Sequence, residues 1–209
     1  LSIFNKENAA TTVASTISIA SKFRIRFFAT GGIGGVHLNA ENTNDVSADL
    51  YALSENSNFV ICSGAKSILD LSKTNELLET LGITRIGYQT NYMPGFWYEE
   101  TENKVDNKFD EIHEISSFLK LNEKIENKKS ILIFNKVPTE KALKKNDVEK
   151  WINNATIKAD RNNISGKDLT PFLINEINEQ SKNQTLNANV SLIINNANLA
   201  GKIAKSFYS

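Results

Sequence analysis

The chain has 209 residues, with 24 Lys plus Arg balanced by 24 Asp plus Glu, and hydrophobic residues at 40%. Such a length and composition suit one globular domain, and a neutral balance with pI near 7.0 argues against nucleic-acid or membrane-surface binding. One cysteine and two histidines exclude an intramolecular disulfide and leave little room for a Cys- or His-rich metal site. The longest apolar run, Ile131 to Phe134, is far too short to cross a bilayer. A soluble cytoplasmic protein is the expectation. Leu1-Ser2-Ile3-Phe4-Asn5 has neither an initiator methionine nor a signal-peptide pattern, so the text reads as starting inside a domain.

Residues 9–22 predict a helix, with Val13, Ile17 and Ile19 set among small residues. Residues 23–29 predict a strand ending at the turn Gly31-Gly32-Ile33-Gly34-Gly35. A short helix over 46–54, capped by Asn44 or Asp45, precedes a buried strand over 58–62. Ile68, Leu71, Leu77, Leu78 and Leu81 give a helical spacing over 67–81, and 84–88 forms the next strand. Residues 91–98 read as a loop or strand edge with buried aromatics, and 99–109 as a polar surface connection. Helix over 111–121, strand over 130–134 and partial helix over 141–159 with Asp147 as cap follow. A helix over 168–181 carries Pro171 in its first turn, where proline is tolerated. A last strand over 189–194 and a helix over 197–207 complete the series. Alternating strands and helices predict an α/β/α sandwich.

Three constellations could carry chemistry. The glycine cluster follows a strand, where phosphate-cradling loops sit, but His37 stands where a dinucleotide fingerprint needs its third glycine. A structural turn explains it equally well. Lys66 lies between the strand 58–62 and the expected helix, flanked by Ser63, Gly64 and Ala65. The positive end of a helix dipole and burial both disfavour its charge, and a neutral amine is what imine formation needs. A surface lysine is the plainer alternative. Asp45 and Asp49, four apart, share one face if the helix starts early enough, and hard carboxylates suit Mg²⁺ or Mn²⁺. A cap plus a solvated face is the alternative there. His37 is at most a supporting group, His113 a surface residue, and Cys62 a small buried hydrophobe.

Together these segments resemble a known family. Ala10-Thr11-Thr12-Val13-Ala14, Phe28-Ala29-Thr30-Gly31-Gly32-Ile33-Gly34-Gly35-Val36-His37 and Asp45-Val46-Ser47-Ala48-Asp49-Leu50 are similar to pseudouridine-5′-phosphate glycosidases, the indigoidine synthase A family. Gly64-Ala65-Lys66-Ser67-Ile68-Leu69-Asp70, Ile86-Gly87-Tyr88-Gln89-Thr90, Gly166-Lys167, Thr170-Pro171-Phe172-Leu173 and Asn195-Asn196-Ala197 continue the match in collinear order.

The resemblance implies a three-layer α/β/α sandwich with a mixed, mostly parallel sheet, in which residues 1–209 form a single, N-terminally truncated domain. It implies reversible cleavage of the C–C glycosidic bond of pseudouridine 5′-phosphate to uracil and ribose 5-phosphate. Protonating a leaving oxygen cannot break such a bond; opening the ribose and holding C1′ as a lysine imine supplies an electron sink beside it. Lys66 matches the nucleophilic lysine, and Asp45 the metal-binding aspartate, with Mn²⁺ the ion implied. Ser47, Ala48 and Asp49 match a substrate-binding segment, Val13 beside Thr12 another, and Thr30, Gln89 and Asn189 are placed near the substrate. A homotrimer is implied. The family's proton-donor glutamate and a second substrate lysine fall upstream of Leu1. The alternative is an inactive remnant that binds ribose phosphate or serves in assembly.

Overall fold

The structure is a computed structural model describing residues 2–209, except the side chains of Ile3 and Lys167. The side chain of the lysine in the Gly166-Lys167 match therefore lies outside what is described, as does the whole of Leu1.

Three of the strand segments, 27–29, 59–62 and 131–134, are short apolar runs without polar interruption, the pattern of strands covered on both faces. β1 (Phe27–Ala29), β2 (Phe59–Cys62), β3 (Thr84–Tyr88), β4 (Asn107–Phe109) and β5 (Ile131–Phe134) form one sheet in the order β1-β2-β5-β3-β4. All four strand pairings are parallel; antiparallel contact is confined to isolated bridges such as Val36 with Val46 and His37 with Leu69. The helices are α1 (Ser2–Asn5), α2 (Val13–Lys22), α3 (Ala40–Thr43), α4 (Ala48–Glu55), α5 (Leu71–Thr80), α6 (Ile112–Lys124), α7 (Lys145–Arg161), α8 (Leu169–Gln180) and α9 (Gln184–Tyr208).

Side-chain alternation along β2 and β5 divides the core in two. Val60, Cys62, Leu132 and Phe134 face Ile17 of α2, Leu50 and Leu53 of α4, Leu78 of α5 and Val148 of α7. Phe59, Ile61, Ile131 and Ile133 face Ile115 and Leu119 of α6 and Leu199, Ile203 and Phe207 of α9. The fold is therefore the three-layer sandwich the sequence implies.

Several boundaries differ, each for a local reason. The first long helix starts at Val13 because Thr12 caps it, its hydroxyl accepting from the Ser15 N–H at 3.2 Å. β1 is only three residues long because Phe23 closes α2 and Arg24 turns the chain in a left-handed conformation, φ 57°. The next helix starts at Ala48, capped by Ser47 rather than by Asn44 or Asp45. The helix expected from Ser67 starts at Leu71, where the Asp70 carboxylate accepts from the Lys73 N–H at 2.9 Å. Lys144, not Asp147, occupies the cap of α7. Asn107–Phe109, expected as part of a surface connection, is an edge strand. The strand expected over Asn189–Ile194 is the middle of α9. Its buried residues include Ala188, Leu192, Asn196, Leu199, Ile203 and Phe207, spaced three and four apart, and that helical period outweighs the short apolar run.

Candidate active site

The site is assembled where β1 and β2 end, at the carboxyl edge of a parallel sheet, the usual position for ligands in open α/β folds. After β1 the chain runs through Gly31–Gly35, and after β2 through Ser63–Lys66. The two loops are laced together. The Ile33 N–H donates to the Gly64 carbonyl at 3.0 Å, and the Lys66 N–H to the Ile33 carbonyl at 3.1 Å. Beyond Lys66, the Ser67 hydroxyl donates to the Gly95 carbonyl at 2.6 Å. Lys66 is thus fixed by its backbone on a loop. The helix-dipole argument for its activation fails, because α5 starts five residues later than Lys66, at Leu71. Its placement still suits a nucleophile. Lys66 is half-buried, and among the described residues its side chain has no ion pair or hydrogen bond.

Lys66 lines a cavity of about 360 Å³ together with Thr12, Val13, Gly34, His37, Ser47, Asp49 and Thr170. Thr12 and Val13 open α2, Ser47 and Asp49 open α4, and Thr170 lies in the first turn of α8. Three helix N-termini therefore meet one free amine, an environment that favours an anion such as a phosphate.

Asp49 holds this arrangement together. It is buried, with Oδ1 accepting from the Ala14 N–H at 2.8 Å and Oδ2 from the Gly34 N–H at 2.7 Å. One carboxylate thereby ties the start of α2 to the glycine loop. The loop must come close for this: a Cβ at position 34 would collide with the Ser47 hydroxyl and lie 2.9 Å from Asp49 Oδ2. Gly34 is needed for close approach.

Asp45 and Asp49 do not share a helix face, since Asp45 precedes α4. Asp45 instead borders an adjoining cavity of about 530 Å³ that shares His37 and Thr170 with the first. His37 Nδ1 lies 3.7 Å from Asp45 Oδ2. Among the described residues there is no cluster of three or more His, Cys, Asp or Glu side chains. Ala48 is exposed at the start of α4. Thr30, Gln89 and Asn189 do not line the Lys66 cavity. The Thr30 carbonyl accepts from Asn196, the exposed Gln89 amide donates to the Asp110 carbonyl, and Asn189 accepts from the Trp97 indole at 2.7 Å. Burial pushes the Cys62 thiol up to about 12, consistent with a packed rather than a reactive residue.

Comparison with known proteins shows the family. The family described as "Indigoidine synthase A like protein" matches residues 1–206. The chain belongs to that family. It is 45% identical over 199 residues to the pseudouridine-5′-phosphate glycosidase of Kosmotoga olearia, covering 95% of this chain and 68% of that relative. It is 46% identical over 200 residues to the enzyme of the same name from Petrotoga mobilis, covering 96% and 65%. Among solved structures, the prealnumycin C-glycosynthase AlnA in complex with ribulose 5-phosphate superposes with TM-score 0.92 at 31% identity, covering 98% of this chain and 68% of AlnA. The chain thus spans about two thirds of the length of these indigoidine synthase A-like relatives. None of the helices in the described residues is long and apolar enough to cross a membrane.

Gly34, Leu69 and Thr170 stood in the segments quoted above, but their meeting with His37 and Lys66 around one cavity was not legible in the sequence. Thr170 was legible only as a helix opening beside Pro171. Its position against Lys66 depends on α8 packing beside α7, which no local pattern encodes.

Proposed function

We propose that this chain carries the sugar-phosphate chemistry of a pseudouridine-5′-phosphate glycosidase, with Lys66 as nucleophile. The observation that carries the reading is the free Lys66 amine in a cavity lined by three helix N-termini. The names of the relatives and the sugar phosphate held by AlnA support the same substrate class.

In this reading the phosphate sits against the first turns of α2 and α4, where Thr12, Val13, Ser47, Ala48 and Asp49 orient it through backbone N–H groups and hydroxyls. The Lys66 amine adds at C1′ as the ribose ring opens, and the ring oxygen takes a proton. Nitrogen then forms the C=N bond while the C1′–C5 electron pair leaves with uracil, which accepts a proton at C5. Water hydrolyses the imine, giving ribose 5-phosphate and restoring Lys66. Thr30, Gln89 and Asn189 are assigned to the substrate's surroundings by resemblance alone. Asp45, half-exposed beside His37, offers a hard carboxylate of the kind Mn²⁺ prefers, so it is the residue proposed to hold that ion. When bound, such an ion would supply positive charge next to the anionic substrate. The same reading makes the protein a cytoplasmic homotrimer of single-domain chains.

One observation favours the second reading, an inactive sugar-phosphate-binding remnant. Asp49 is the only carboxylate lining the Lys66 cavity among the described residues, and both its oxygens accept backbone N–H groups. It is poorly placed to give uracil its proton. Resemblance assigns that proton to a glutamate from the family's N-terminal portion.

Borohydride trapping tests the central claim. Ribose 5-phosphate with borohydride should add one pentose phosphate to Lys66, read by intact mass and peptide mapping, and Lys66→Ala should abolish it. Adducts spread evenly over surface lysines would refute the assignment. Uracil release then separates the two readings: trapping with release supports the glycosidase, and trapping without release supports the remnant.

A further inference from the structure

In α9 a polar side chain stands where packing favours an apolar one. Asn196 lies between Leu192 and Leu199 on the helix face that enters the core, and it is fully buried. Burying an amide costs free energy unless its donors and acceptor are met, and asparagine is also a poorer helix former than leucine. Asn196 has all of them met. Its Nδ2 donates to the Thr30 carbonyl at 2.8 Å and to the Ser63 hydroxyl at 3.1 Å, and its Oδ1 accepts from Asn135 Nδ2 at 3.0 Å. A carbonyl can only accept, so the Thr30 contact fixes which way the amide faces.

The three partners share one place in the fold. Thr30 is the first residue after β1, Ser63 the first after β2 and Asn135 the first after β5, and these strands are neighbours in the sheet. One amide thus gathers three adjacent strand ends. Asn195 adds a fourth tie, its Nδ2 donating to the Lys136 carbonyl at 3.1 Å. Both loops of the site spring from these ends, the glycine loop after Thr30 and the Lys66 loop after Ser63. Only Gly64 and Ala65 separate Ser63 from Lys66. Along this short path the backbone is held, the Ser63 N–H donating to the Gly31 carbonyl at 2.9 Å and the Lys66 N–H to the Ile33 carbonyl. A shift of the strand ends therefore reaches the amine with little slack to absorb it.

We propose that Asn196 is a positioning residue, which gathers the carboxyl ends of β1, β2 and β5 and so sets where the Lys66 loop stands. Being fully buried, it acts through Thr30 and Ser63 and not on the substrate. Its consequence for the reaction rests on Lys66 as nucleophile; its hold on the loop does not.

Two variants of the 209-residue chain test it. Asn58 is also buried, just before β2, where Nδ2 donates to the Ile25 carbonyl at 2.7 Å and Oδ1 accepts from the Ser21 hydroxyl at 2.6 Å. Asn58→Ala therefore removes comparable bonds at the opposite end of the same strand. With saturating ribose 5-phosphate and borohydride, the rate constant for labelling Lys66 should fall roughly tenfold or more in Asn196→Ala and stay near that of the wild type in Asn58→Ala. A chain that is only less stable loses labelled yield, not rate constant. An unchanged rate constant in Asn196→Ala, or an equal fall in both variants, overturns the proposal. If Asn196→Ala does not fold, Ser63→Ala, which removes the hydroxyl joining α9 to the end of β2, takes its place under the same criterion. Amide hydrogen exchange separates this inference from the reading of Lys66. The Ile33 and Lys66 N–H groups should exchange faster in the site variant than in Asn58→Ala, and equal exchange overturns the proposal. A wild type without an adduct refutes the nucleophile, and exchange alone then decides the role of Asn196.

Discussion

Asp49 accepts one backbone N–H with each carboxylate oxygen, so its chemistry cannot be exchanged for a shape-matched amide. Asp49→Asn would set an NH₂ group against one of two N–H donors and leave that donor buried without a partner. The expected cost is about 1–3 kcal/mol, read as a lower urea midpoint, together with weaker ribose 5-phosphate binding because α2 and the glycine loop part. An unchanged midpoint would show that water replaces the lost acceptor. This role was not legible from spacing, which offered only a pair with Asp45. The local setting of Lys66 was legible only in part. Its place after a strand and among small residues was visible, whereas the helix dipole invoked for it belongs to a helix capped four residues later, by Asp70.

At the scale of elements, the caps decide where helices begin. Asp70 accepts from the Lys73 N–H and so frees Lys66 to Leu69 to run as a loop past the cavity. Asp70→Ala should destabilise the protein by about 1 kcal/mol, measured by thermal or urea unfolding, while leaving trapping at Lys66 in place. Trapping lost in a folded variant would mean that the cap also positions the loop. Apolar periodicity located α2, α5, α6 and α8 well. It failed over Asn189–Ile194, where Val190, Leu192 and Ile194 alternate like a strand while Ala188, Leu192 and Asn196 repeat like a helix. The longer repeat wins, because only it continues through Leu199, Ile203 and Phe207 into the core formed with α6. β4 escaped notice for the opposite reason: Asn107-Lys108-Phe109 is an edge strand with little apolar surface to betray it.

For the molecule as a whole, two buried groups set the alkaline limit of stability. Burial pushes the Cys62 thiol from 9.0 up to about 12. Burial, with Glu149 and Glu102 nearby, pushes the Tyr98 phenol from 10.0 up to about 12. Both hold their protons more tightly folded than unfolded. Their contribution is full below pH 9 and is lost as pH rises towards 12. The urea midpoint should therefore fall between pH 8 and pH 11, and Cys62 should resist alkylation in the native protein at pH 8 while reacting once unfolded. A flat midpoint across that range would contradict the burial of both groups. The three-layer architecture itself was legible, since three of the five strands are dense apolar runs separated by amphipathic helices. The order of those strands was not, because it depends on which face each crossover takes.

That order has a consequence for how the protein comes into being. β2 and β3 are consecutive in sequence, yet β5 lies between them, paired to both. During synthesis the first four strands can form only two separate ribbons, β1 with β2 and β3 with β4, each with an apolar edge turned to the other. Ile131–Phe134 must be translated and must enter that gap before the halves join. The loop that carries Lys66 at the end of β2 thus acquires its rigid floor late, and folding is governed by contacts between residues some 70 positions apart, such as Asn58 with Ser130. Until then the two half-sheets are open to strand exchange with other nascent chains, so expression at low temperature or with chaperones should raise the folded yield.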